Sequence, residues 1–85
     1  MGPLGQLFAR LDAVVTTADA AALAVELRDA TLSGAVSPRD ARDLARLLNA
    51  MLARELHTRD HNSPEGRALA GAALGETFAA IEAAA

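Results

Sequence analysis

Two Ser-Pro steps, Ser37–Pro38 and Ser63–Pro64, constrain this chain more than anything else in it. A serine hydroxyl is a strong helix N-cap. Proline is tolerated at the first helical position because its missing N–H would have had no intrahelical partner there. Asp40 after the first step and Glu65 after the second stand near the positive end of each new helix dipole. Val36, just before the first step, is placed to staple onto Ala41. A further start lies at Thr16-Thr17-Ala18-Asp19, with Thr16 or Thr17 as cap and Asp19 in the first turn, and Gly34 is suited to stop the helix that begins there.

Between these markers apolar residues recur at three- and four-residue spacing, and no stretch alternates with period two. The spacing predicts an all-α chain with helices over 4–15, 18–33, 38–57 and 64–83. Leu4, Leu7, Phe8, Leu11, Val14 and Val15 form the apolar side of the first helix, with Arg10 and Asp12 on its wet side. In the third helix Ala41, Leu44, Leu47, Leu48, Met51 and Leu52 lie together, over a length of about 30 Å. With helices two and three paired as a hairpin across residues 32–38, the expected architecture is a compact four-helix bundle.

At 85 residues, positions 1–85 make one domain. For a mass of 8.7 kDa, surface scaling gives roughly 4,700 Å² exposed when folded against about 12,600 Å² unfolded, a small gain for a monomer. With no cysteine there is no disulfide to add stability, so association with a second copy is the expected route. The expectation is a homo-oligomer.

The faces that would carry such contacts are visible in the second and fourth helices. Leu23 and Leu27, with Ala20, Ala24 and Ala30, form one side of helix two; Val25 and Leu32, with Ala21, lie nearly opposite. Helix four has Leu74, Phe78 and Ile81 on one face and, beside it, a strip of Ala68, Gly71, Ala72, Gly75 and Ala79. A glycine inside a helix costs about 1 kcal/mol relative to alanine, so the close approach of another helix is expected there. That helix is either helix one or two of the same chain or one from a second copy. The candidate interface is Val25, Leu32, Gly71, Ala72, Gly75, Phe78 and Ala79.

Arg39, Arg42 and Arg46 share a second surface, opposite the leucines of helix three, and are candidates for contact with an anion or an acidic partner. The plainer expectation is a solvated face on which Asp43 pairs with Arg39 and Arg46. A helix–turn–helix reading of helices two and three would aim the same arginines at nucleic acid. The interleaved Asp40 and Asp43 and the net charge of −3 oppose it.

Chemistry of other kinds is poorly supported. His57 and His61 have a metal-ligand spacing, with Glu55 and Asp60 near them, but the segment 58–62 reads as a loop and breaks the geometry. Asp60, His61 and Ser63 are adjacent rather than convergent, and Ser63 already caps a helix. Glu55 falls beside Leu48 and Leu52 by phase, near a helix C-terminus, and is expected to face water or to meet an arginine. No catalytic residue, metal, cofactor or small-molecule substrate is expected.

No run near 20 residues is free of charge, and Arg10 and Asp12 interrupt the one N-terminal apolar stretch, so neither a membrane span nor a secretory signal is expected. Met1–Gly5 opens like a myristoylation signal, but Gln6 stands where Ser or Thr is required. Alanine supplies 22 residues and arginine all eight basic ones, a bias of GC-rich codons that points to a bacterium of high GC content or its phage. The functional expectation is a cytoplasmic, non-enzymatic protein–protein interaction or assembly module. The alternative is a nucleic-acid-binding regulator using Arg39, Arg42 and Arg46.

Overall fold

A computed structural model of the chain describes residues 2–54 and 63–84. Four helices follow one another, α1 (Pro3–Leu11), α2 (Thr17–Ser33), α3 (Pro38–Arg54) and α4 (Pro64–Ala84), and there is no strand among the described residues.

Helix α1 stops at Leu11 rather than near Val15, because the capping chemistry of α2 reaches backward. Thr16 takes an extended conformation (φ −117°, ψ 165°) and its hydroxyl accepts from the Asp19 N–H at 3.1 Å. The Asp19 carboxylate accepts in return from the N–H groups of Val15 at 3.0 Å and Thr16 at 3.1 Å. Those two amides are therefore lost to α1. The chain between the helices turns Val14 into the core, whereas Val15 is 44% exposed.

The same two backbone amides hold the Asp19 carboxyl below its usual value of 3.8. With the native value depressed, the contribution to stability is complete above the ordinary aspartate range and is lost as pH falls through the lowered native value. Thr16→Ala is expected to cost about 1 kcal/mol in urea unfolding at neutral pH. Asp19→Asn is expected to flatten the loss of stability expected as pH falls through and below the ordinary aspartate range. An unchanged acid slope in that variant would show that the box contributes nothing.

The other boundaries follow the sequence markers. Gly34 takes the left-handed conformation (φ 80°) and its N–H bonds the Thr31 carbonyl, which ends α2. Ser37 accepts from the Asp40 N–H at 3.2 Å and Ser63 from the Gly66 N–H at 2.9 Å, so both serines cap as expected. Val36 and Ala41 are both buried.

Helices α2 and α4 share the largest interhelical surface, and α3 packs on both. They run in the same direction: the start of α2 meets the start of α4 through Thr17 and Ser63, and further along each the Arg28 guanidinium bonds the Glu76 carboxylate at 3.1 Å. Helix α1 lies against α2 and α3 of its own chain, and Arg10 pairs with Glu26 of α2.

Leu23, Leu27, Leu44, Leu48 and Ile81 are the largest fully buried apolar side chains, with Ala20, Ala24, Ala41, Ala45, Ala70 and Ala73 filling the space between them. Alanine at these positions lets backbones approach closely while leaving no polar group to satisfy. Two expected assignments shift. Ala21 belongs to the core, and in α3 Ala45 is buried whereas Leu47 is 47% exposed. The arc that α3 buries is centred on Leu48 and Ala41 rather than on its widest run of leucines. The accessible surface of 4912 Å² is close to the roughly 4,700 Å² of a monomer of this mass.

Thr17 is the buried polar residue that ties the two parallel helices. Its hydroxyl accepts from the Ser63 N–H at 2.9 Å and donates to the Ser63 carbonyl at 3.4 Å, which satisfies it completely. Gly66 makes room for this arrangement: a Cβ there would lie 2.7 Å from the Thr17 hydroxyl oxygen and 3.1 Å from the Ala18 amide nitrogen.

Candidate protein–protein interface

Helix α4 turns Ala70, Ala73, Leu74, Thr77 and Ile81 inward, so at about 100° per residue the strip of Ala68, Ala72, Gly75 and Ala79 lies on its opposite side, and all four are exposed. A Cβ added at Gly71 or Gly75 would meet nothing within 4 Å. This overturns the expectation of a close approach of these glycines to α1 or α2 of the same chain. The tight intrachain contact of α4 is at Gly66, one turn into the helix.

The Arg28–Glu76 pair marks where α2 and α4 meet on the side away from α3. Val25 and Leu32 flank Arg28 by three and four residues, and Leu69 and Ala72 precede Glu76 by seven and four, so both sets fall along the same seam. Val25 is half-buried against the core, whereas Leu32 is 66% and Leu69 54% exposed. By helical phase Ala72 and Ala79 fall beside this seam, near Val25 and Leu32, whereas Gly75 lies further round the exposed side of α4, toward Gly71. Gly71 and Phe78 lie on the far edge of α4, away from α2; Gly71 is exposed and Phe78 half-buried against the core, so Phe78 belongs to the interior more than to this surface.

Leu69 is the member that sequence reading missed. Its signal was available: it stands off the Leu74–Ile81 face by more than a quarter turn, and a leucine in that position has no partner within its own helix.

On α3, Arg39 and Arg46 are exposed and Arg42 half-buried. Among the described residues none of the three forms an ion pair, so the expected pairing with Asp43 is corrected. The order of charges explains this for Arg39 and Asp43: an arginine four residues before an acid is the weaker arrangement on a helix, and water competes for both. Arg54, on the same outward side, is also exposed and without an ion pair among the described residues.

A cleft of about 120 Å³ between α1 and α2 is lined by Arg10, Ala13, Val14, Asp19, Ala22 and Leu23. It is small beside the roughly 300–1,000 Å³ of ligand sites, and its charged groups already serve the capping box and the pair with Glu26. Among the described residues no three acidic or histidine side chains gather to hold a metal, and no helix is long and apolar enough to cross a membrane. Glu55, His57, Asp60 and His61, with the expected end of the third helix at residue 57, lie outside the described residues. Comparison with protein-family models, with curated proteins and with solved structures finds no match to this chain.

Proposed function

We propose that this protein is a non-enzymatic assembly module, a small cytoplasmic helical bundle that self-associates through the outward face of the α2–α4 seam. One observation carries the reading. Leu32 and Leu69 are more than half exposed along the α2–α4 seam, and the exposed small residues Ala72 and Ala79 lie beside Leu69 on α4. Fully burying one leucine side chain is worth about 1.5–3 kcal/mol, so two on one surface supply a substantial part of an association energy. Small residues beside Leu69 leave the backbone open to close approach by another helix.

Light scattering on the full chain at high micromolar concentration tests this. A mass above that of the monomer is expected, and Leu32→Glu with Leu69→Glu is expected to return it to a single chain with the helical circular dichroism intact. A monomeric parent chain at that concentration disposes of the reading.

A second reading, binding of nucleic acid through Arg39, Arg42 and Arg46, is favoured by one observation: these guanidinium groups make no ion pair with Asp40 or Asp43. It requires binding that falls steeply with salt and is lost when the arginines are neutralised.

A further inference from the structure

We infer that the assembly is head-to-tail: the outward arginine face of α3 docks on the outward face of α4 in a second copy of this chain. The inference rests on the self-association reading and specifies which surfaces meet. It begins from charge. Helix α3 carries four arginines against two aspartates, whereas α2 and α4 together carry two arginines against six acidic residues. Arg39, Arg42, Arg46 and Arg54 make no ion pair among the described residues, and neither do Glu65 and Glu82 of α4. Among the described residues, four guanidinium groups without an ion pair, outnumbering Asp40 and Asp43 among them, therefore lie on α3, and carboxylates without one lie toward the two ends of α4. Copies of such a domain attract by unlike faces.

The lengths also agree. Arg39 to Arg54 spans about 22 Å along α3 and Glu65 to Glu82 about 25 Å along α4 at 1.5 Å per residue. With the two helices antiparallel, as their dipoles favour, Arg39 comes to Glu82 and Arg54 to Glu65. The middle of α3 then lies over the middle of α4. Leu47, 47% exposed in its own chain, falls on the stretch from Ala72 to Gly75, where a Cβ at Gly75 would find open space. The contact thus uses Leu47, the arginines without an ion pair and Gly75, with the exposed Leu69 and Leu32 along its α2 edge. Arginine suits it, since its planar fork binds a carboxylate bidentately.

Asp43 also faces outward, between Arg39 and Arg46. It opposes a continuous phosphate backbone but leaves the flanking arginines free to meet separate carboxylates. The arginine face carries no aromatic side chain to stack on a base, since both phenylalanines lie in other helices. A second copy is accordingly favoured over nucleic acid. Because the two surfaces differ, each docked copy presents a fresh face, and the assembly continues beyond a dimer as a ring or an open row.

Complementation between two variants tests the geometry. Arg39→Gln with Arg46→Gln silences α3, and Gly75→Gln with Glu82→Gln blocks α4; helical circular dichroism confirms that each folds. In sedimentation velocity at about 50 mM salt, the parent chain is expected to form species larger than a dimer, weakening at least tenfold in apparent affinity by about 0.5 M salt. Each variant alone is expected to be monomeric, and their equimolar mixture to give a one-to-one dimer and nothing larger. A parent chain that stops at a dimer, with no rescue on mixing, overturns the head-to-tail arrangement and leaves self-association standing. A monomeric parent chain removes both. Salt-dependent binding of labelled duplex DNA that is lost in the α3 variant assigns the arginines to nucleic acid and overturns the inference.

Discussion

Replacing Leu48 by alanine is expected to destabilise the chain by about 3 kcal/mol, a large part of the 5–15 kcal/mol that holds a small domain together. Leu48 is completely buried where α3 meets the other helices, and the neighbouring backbones are already set close by Ala41 and Ala45, so little can collapse into the void. Urea unfolding monitored by circular dichroism at low protein concentration reads the effect. At a denaturant slope of about 1 kcal/mol per molar, the midpoint falls by about three molar. Leu47→Ala is the control. It removes the same group from the adjacent position, but Leu47 is 47% exposed and the loss should stay under about 1 kcal/mol in the monomer. Equal losses at the two positions would contradict the orientation of α3.

The second large effect is expected at Gly66. Glycine to alanine inside a helix normally stabilises by about 1 kcal/mol, and at Gly71 and Gly75, where the added methyl meets open space, a gain of that order is expected in the monomer. At Gly66 the sign reverses. The methyl would stand 2.7 Å from the Thr17 hydroxyl oxygen, which is held by both the N–H and the carbonyl of Ser63, and 3.1 Å from the Ala18 amide nitrogen. Neither neighbour is the loose end of a flexible side chain, so α4 must move off α2. A loss of about 2 kcal/mol is expected for Gly66→Ala, within the range for overpacking a fixed contact. Thr17→Val, which keeps the shape but leaves the Ser63 amide without its acceptor, is expected to lose about 1–3 kcal/mol. Thermal unfolding of Gly66→Ala beside Gly71→Ala checks the reversal directly; a stabilised Gly66→Ala would sink it.

Local chemistry was the legible part of this fold. Ser37, Ser63 and Gly34 act within a few residues of themselves, so their roles are written in the sequence and appear in the structure. Thr16 and Thr17 were not separable in that way. Both are good caps, and only the arrival of Ser63 from a distant part of the chain makes one a surface cap and the other a buried tie. The same holds for α4. Ala70, Ala73 and Thr77 are buried while Ala68, Ala72 and Ala79 are exposed, and the side chains differ too little to say which set faces inward. Where one helix face is strongly apolar, as in α3, phase recovers most of the core; Leu47 escapes because the helix is rotated toward alanine. The candidate interface was partly legible. Val25 and Leu32 on α2 and Ala72, Gly75 and Ala79 on α4 are excess surfaces that phase alone reveals, whereas the way Leu69 and Ala72 meet the α2 residues depends on how α2 and α4 lie side by side.

That parallel arrangement also governs the order in which the chain can fold. Thr17 and Ser63 are 46 positions apart, so the most extensive surface in the molecule forms only after a long loop has closed, at an entropic cost of roughly 3 kcal/mol beyond a constant. The local hairpin of α2 and α3 closes more cheaply but gains less, because the larger surface of α2 awaits α4. The packing of α2 against α4 therefore waits for α4, and until it docks the side of α2 that faces α4 is left uncovered. If self-association uses the face that α2 and α4 build together, this order keeps assembly behind the docking of α4 in each copy.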